Sequence, residues 1–122
     1  MEINEITEMV IGCAYEVGNT LGTGFLEKVY ENALAHEIRK AGLRVLQQHA
    51  LRVYYDDVIV GEFFADLLVQ DKVLVELKVT ESLSKLHMAQ CLNYLKATNM
   101  KICLLINLGK PRVQIKRVVL RF

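Results

Sequence analysis

Proline occurs once, at Pro111, and no stretch is repetitive or of low complexity. Proline-rich linkers and strings of small modules are thereby excluded. The 122 residues read as one domain, 1–122, large enough to bury a core. No apolar run approaches the roughly 20 residues that a membrane helix needs, so no membrane partner is expected. The start, MEINEITEMV, is acidic and lacks the basic region of a secretory signal. Only three cysteines are present, Cys13, Cys91 and Cys103, odd in number and embedded in apolar patterns. They read as buried reduced thiols of a cytoplasmic protein. Without a CxxC, and with three scattered histidines, no zinc site is expected.

Acidic residues are missing altogether after Glu81. Residues 1–81 carry a net charge of −7 and residues 82–122 a net charge of +8. The cations of the second part are Lys85, Lys96, Lys101, Lys110, Arg112, Lys116, Arg117 and Arg121. Either this surface meets phosphate backbone, with Lys85, Lys110 and Arg112 as the candidate contacts, or it meets the acidic part of the same chain or of a second subunit.

What is present is a strong pattern. Apolar positions at Ile3, Ile6, Val10, Cys13, Val17 and Leu21 predict a helix over 3–21, with Glu2, Glu5 and Glu8 suiting its N-terminal dipole. Gly22-Thr23-Gly24 breaks it. A second helix follows from about Phe25 to Ala41, stopped by Gly42. Strands are predicted over 44–55, interrupted near Ala50, then over 58–69 after an Asp56-Asp57 turn, and over 73–79. Ser82 is placed as the N-cap of a helix over 83–98 that Asn99 ends. The continuous apolar run at 101–107 predicts a central strand covered on both faces, and 112–120 a last strand. The order is α-α-β-β-β-α-β-β, an α/β class with a mixed sheet packed by helices.

Asp66, Glu76 and Lys78 stand out because they lie in two apolar runs, FFADLLV and VLVELKV, around Gln70-Asp71-Lys72. Ionisable groups in such a hairpin cost stability unless paired, solvated or metal-bound. A three-residue turn sets Val69 opposite Val73 and Asp66 opposite Glu76, with Cβ atoms about 4.5–5.5 Å apart. A two-residue turn shifts the register and sends the carboxylates to opposite faces. Paired carboxylates could hold a divalent cation that activates water, the chemistry that cuts a phosphodiester. The bland alternative is a solvated strand face, against which Phe64 and Leu68 flank Asp66 on its own side.

Asp on one strand and Glu-x-Lys on the next, within this element order, resembles the PD-(D/E)xK nuclease superfamily and its restriction-endonuclease-like core. Gly24-Phe25-Leu26-Glu27-Lys28-Val29-Tyr30 resembles the name motif of its GxxExxY family, and the likeness extends from about Ile6 to Val119. Ala65 stands where the superfamily name has proline. The resemblance implies that Asp66, Glu76 and the backbone carbonyl of Leu77 ligate Mg²⁺ or Mn²⁺, with Glu27 as a further acid. Lys78 would assist the attacking water. Gln90 resembles the helix-borne glutamine of the RecB-like branch and completes the catalytic set, while Tyr30 and Tyr94 support it.

Residue by residue, other readings stay open. Glu27 also suits a helix N-terminus by charge alone, although it shares a face with Tyr30 of the apolar stripe. Gln90 and Tyr94, four apart, also suit a hydrogen-bonded pair at the core edge. His87 could touch phosphate or be an ordinary surface residue. Tyr54 and Tyr55 could stack on bases, or reflect strand preference. The resulting expectation is a metal-dependent nuclease acting on DNA or RNA, selective only as a homodimer or with a partner protein. The alternative is a non-catalytic nucleic-acid-binding or assembly module that keeps the fold.

Overall fold

A computed structural model describes residues 1–120; Arg121, one of the cations named above, lies outside the described residues. The first helix, α1 (Ile3–Leu21), buries Ile6, Val10, Ala14 and Val17, the three- and four-residue steps of one helical face. Glu2 caps it, with its main-chain N–H donating 3.2 Å to the Glu5 carboxylate. α2 (Glu27–Lys40) buries Tyr30, Leu34, Ala35 and Ile38.

Five strands follow: β1 (Val45–Tyr55), β2 (Val58–Val69), β3 (Val73–Lys78), then α3 (Lys85–Thr98), β4 (Ile102–Asn107) and β5 (Gln114–Val119). They form one sheet in the order β1-β2-β3-β4-β5. β3 and β4 are parallel, joined by the α3 crossover, and every other neighbour pair is antiparallel. α1 and α2 cover one face, against Leu67, Val69, Val75, Leu104 and Ile106. α3 covers the other, with Cys91 and Leu95 against Leu68, Leu74, Cys103 and Leu105. β4 is buried at every residue, as a strand between two covered faces must be. Each such Leu, Val or Ile contributes about 1.5–3 kcal/mol of burial.

Three details differ from the expectations. The N-cap of α3 is Ser84, not Ser82: its Oγ accepts from the His87 N–H at 3.3 Å, and His87 Nδ1 accepts from the Ser84 N–H at 3.1 Å. Cys13 is only half-buried, while Cys91 and Cys103, twelve positions apart in sequence, meet in the α3-side core. The irregularity in β1 falls at Gln48, whose φ of 52° is left-handed, rather than at Ala50. It turns the strand over: Val45 packs on the α1–α2 side and Leu51 on the α3 side, although two residues an even number apart share a face in a regular strand. The same switch appears opposite, where Ala65 joins Leu68 on the α3 side while Leu67 and Val69 face α1 and α2.

Candidate functional site

The turn Gln70-Asp71-Lys72 has three residues, and Val69 lies opposite Val73. Gln70 and Asp71 both take left-handed φ, 53° and 56°. Arg44 holds them: its main-chain N–H donates to Gln70 Oε1 at 2.7 Å, and its guanidinium pairs with Asp71. This register aims Asp66 at Glu76, as the odd-length turn requires.

The β2–β3 ladder nevertheless stops one step short, at Leu67 opposite Val75. Beyond it the strands fork, and the two carboxylates take over the main-chain donors. Asp66 Oδ2 accepts the Leu77 N–H at 2.7 Å, and Glu76 Oε1 accepts the Asp66 N–H at 3.0 Å. The N–H and C=O of one strand residue leave on the same edge. The Leu77 carbonyl therefore faces the gap that the fork opens.

Both carboxylates are buried, 8% and 4% exposed. Burial raises the Glu76 carboxyl first, the neighbouring Asp66 second, to about 8. Asp66 is raised by burial too, with the Leu77 N–H and Gln48 pulling against it. Neither forms an ion pair among the described residues. With no contacting cation, Glu76 is held back from ionising beside Asp66, a penalty that a divalent ion relieves. Their hydrogen bonds leave lone pairs free on both.

Lys78 follows on β3, half-exposed, and acts to lower both carboxyls. Glu27, the first residue of α2, is exposed, yet its carboxyl is raised by partial desolvation and then by Asp66, with Lys78 opposing. Glu27 is thus within electrostatic reach of Asp66 and Lys78. No group of three or more acidic, cysteine or histidine side chains among the described residues converges as a closed metal cage. What fits is a two-carboxylate set completed by main-chain oxygen, water and substrate, an arrangement that suits Mg²⁺.

From the other side, Gln90 Nε2 donates to the Tyr94 hydroxyl at 2.9 Å. The Tyr94 phenol is pushed up to about 12, by burial first and then by Glu76. Gln90, Tyr94 and Lys78 share the wall of one groove. Tyr30 works at a distance: its hydroxyl donates to the Gly22 carbonyl at 2.6 Å and accepts from the Phe25 N–H at 3.3 Å, pinning the loop that starts α2. Lys85, Lys110 and Arg112 are exposed around this end of the sheet, and none forms an ion pair among the described residues. The four ion pairs among the described residues all lie within residues 1–81, so none of them joins the acidic part to the basic part.

Sequence reasoning missed Glu31, Gln47, Gln48 and Asn107. Glu31 is 3% exposed and accepts from Gln48 Nε2 at 2.7 Å and from Gln47 Nε2 at 2.7 Å. Gln48 Nε2 also donates to Asp66 Oδ1 at 3.1 Å, so it ties α2 to the first carboxylate. The signal was the four-residue step from Glu27 to Glu31, beside the buried Tyr30. Asn107 is buried and joins the Thr80 N–H, the Thr80 carbonyl and the Gly109 N–H at 2.9–3.1 Å, fixing the end of β3 just past Lys78.

A family model described as the PD-(D/E)XK nuclease superfamily matches residues 4–118. Among solved structures, the chain is similar to that of SSO0001, with 15% identity and a TM-score of 0.58 over 98% of this chain and 59% of that one. It is also similar to an alkaline exonuclease from Laribacter hongkongensis, with 14% identity and a TM-score of 0.57 over 97% and 69% of the two chains. At such identities the likeness is one of fold, and the chain spans less than two thirds of the first structure. No curated protein matches the sequence.

Proposed function

The chain belongs to the PD-(D/E)XK nuclease superfamily, and from that premise we propose that it is a metal-dependent nuclease hydrolysing phosphodiester bonds of DNA or RNA. The observation that carries this reading is the convergence of Asp66 and Glu76 at the strand fork, both buried, both raised by burial and without a contacting cation, with Lys78 beside them.

Asp66, Glu76 and the Leu77 carbonyl would hold Mg²⁺ or Mn²⁺, with Glu27 reaching the site through water. When bound, the ion supplies a Lewis acid for the phosphate and a more acidic water. Lys78 favours the deprotonated form of a water beside it and offsets negative charge building on the phosphate. The Gln90–Tyr94 pair bounds the site on the α3 side and orients what enters from the groove. Gln48 keeps Asp66 turned towards the fork.

Within the superfamily we place the chain in the GxxExxY family on Gly24, Glu27 and Tyr30. Supporting this reading, Tyr30 anchors the loop that starts α2 and Glu27 feels the charges of Asp66 and Lys78. We further propose that residues 1–122 act as one nuclease domain of a cytoplasmic protein, with a homodimer or a partner protein supplying selectivity. No helix among the described residues is long and apolar enough to cross a membrane.

Calorimetric titration of Mn²⁺ and Mg²⁺ into wild type and the Asp66→Ala/Glu76→Ala double variant tests the reading. Metal binding by wild type alone, followed by metal-dependent cleavage in a screen of DNA and RNA, is the expected result. Metal binding that survives in the double variant would falsify the site. Nucleic-acid binding without turnover in any metal would favour the binding-module reading.

A further inference from the structure

We propose, resting on the nuclease reading above, that the groove between α3 and the β1–β2 ribbon seats an unpaired single strand of nucleic acid, with bases against Tyr54 and Phe63 and backbone towards Lys78 and Lys96. The groove has a volume of about 900 Å³, and it opens beside the carboxylates because Lys78, Gln90 and Tyr94 form its inner end.

Its walls combine two properties. Tyr54 and Phe63 expose 58% and 48% of their surface, whereas β3 and β4 bury every large apolar side chain they carry. Phe63 lies 6.0 Å from Tyr94, ring to ring and tilted by 42°, so an aromatic track runs from the ribbon to the site. The cationic residues lining the groove are Lys78 and Lys96, and no carboxylate lines it. A ligand matched to this lining has flat apolar faces and a negatively charged backbone.

Single-stranded nucleic acid fits that description, because its base faces are free to stack on aromatic side chains while cations follow its phosphates. A duplex does not fit. Its bases are already stacked on one another, and its exterior offers phosphates and polar base edges, which an apolar wall cannot satisfy. The ribbon itself follows from the fork. Past Leu67, β2 has lost β3 as a neighbour, so β1 and β2 continue as two strands paired only with each other. A register shift at Val53/Tyr54 re-aims the ribbon where it borders the groove.

The test is fluorescence anisotropy in EDTA, with a labelled non-self-complementary oligonucleotide offered alone and annealed to its complement. The single strand should bind at least about tenfold tighter than the duplex, and Tyr54→Ala should lose about tenfold of that affinity. Ala89→Trp, a filling substitution at an exposed groove position, should lose as much while circular dichroism and Mn²⁺ titration stay at wild-type values. Equal or tighter duplex binding, or single-strand affinity unchanged in both variants, overturns the proposal. So does a stable dimer in sedimentation that Tyr54→Ala dissociates, because a second copy then occupies the groove. Cleavage assays with Mn²⁺ are read separately. Single-strand preference without cleavage removes the nuclease reading and keeps the groove, whereas duplex cleavage without single-strand preference does the reverse.

Discussion

Glu76 shows what one buried carboxyl does to the whole chain. Its folded value near 8 stands above the ordinary 4.5, so between those limits the metal-free folded state holds a proton that the unfolded chain has released. Unfolding then releases a proton, and the contribution of this group to stability is full below about pH 4.5 and is lost as pH rises through about 8. Glu76→Gln keeps an oxygen to accept the Asp66 N–H and removes the titration. Thermal melts in EDTA from pH 5 to 9 should show wild type losing stability with rising pH relative to the variant. The difference above pH 8 should be on the order of a few kcal/mol. Parallel curves would mean that Glu76 does not hold the proton. Lys78 makes the complementary prediction. Lys78→Ala should keep Mn²⁺ binding and lose turnover by about 10²–10³-fold, the usual effect of removing one preorganised charge from a transition state. Single-turnover rates at saturating metal would check it, and unchanged rates would take lysine out of the mechanism.

At the scale of elements, the end of β3 is held by two close approaches. A Cβ on Gly109 would sit 2.4 Å from Thr80 N and 2.7 Å from Thr80 O, both main-chain atoms that cannot turn aside. Gly24 has open space around it but a φ of 108°, so the sequence motif needs glycine there for its backbone angle and not for a close approach. Gly109→Ala should therefore cost at least about 2 kcal/mol and lower turnover, because Thr80 must move and Lys78 is two residues away. Gly24→Ala should cost about 1 kcal/mol through its strained angle. Urea unfolding of both variants separates the two causes, and equal costs would mean that the approach to Thr80 is not what demands glycine at 109. The elements themselves were legible because each writes its own period: helical steps from Ile3 to Leu21, a continuous apolar run in β4, and a turn whose odd length set the register. The left-handed turn at Gln48 was not legible, since no glycine marks it. Glu31 reaches Gln47 and Gln48 across 16 and 17 positions, and Asn107 reaches Thr80 across 27, which only the assembled topology brings together. The cap expected at Ser82 falls at Ser84 because the chain stays extended through Ser84 before α3 begins.

For the whole molecule, residues from the acidic and the basic parts meet at one end of the sheet. The carboxyl ends of the parallel strands β3 and β4 open on one side of the sheet, the usual place for a site in folds with a crossover helix. Around that end stand Glu27, the start of α3 with Lys85, and the β4–β5 turn with Lys110 and Arg112, brought against β3 by the Gly109–Thr80 approach. The four intrachain ion pairs of the described residues all lie within residues 1–81, which leaves the exposed cations on β5 and its turn available to an external anion. If these cations meet phosphates, each phosphate neutralised releases condensed counterions, and the logarithm of affinity falls linearly with the logarithm of salt. The triple variant Lys85→Ala/Lys110→Ala/Arg112→Ala should then bind every sequence more weakly and flatten the slope by about three, one for each phosphate that no longer meets a cation. Anisotropy titrations from roughly 50 to 300 mM salt, where such binding is tunable, measure it. A slope unchanged by the triple variant would move the phosphate contacts to Lys96 and Lys78 in the groove. A flat dependence in wild type would mean that apolar stacking alone holds the strand.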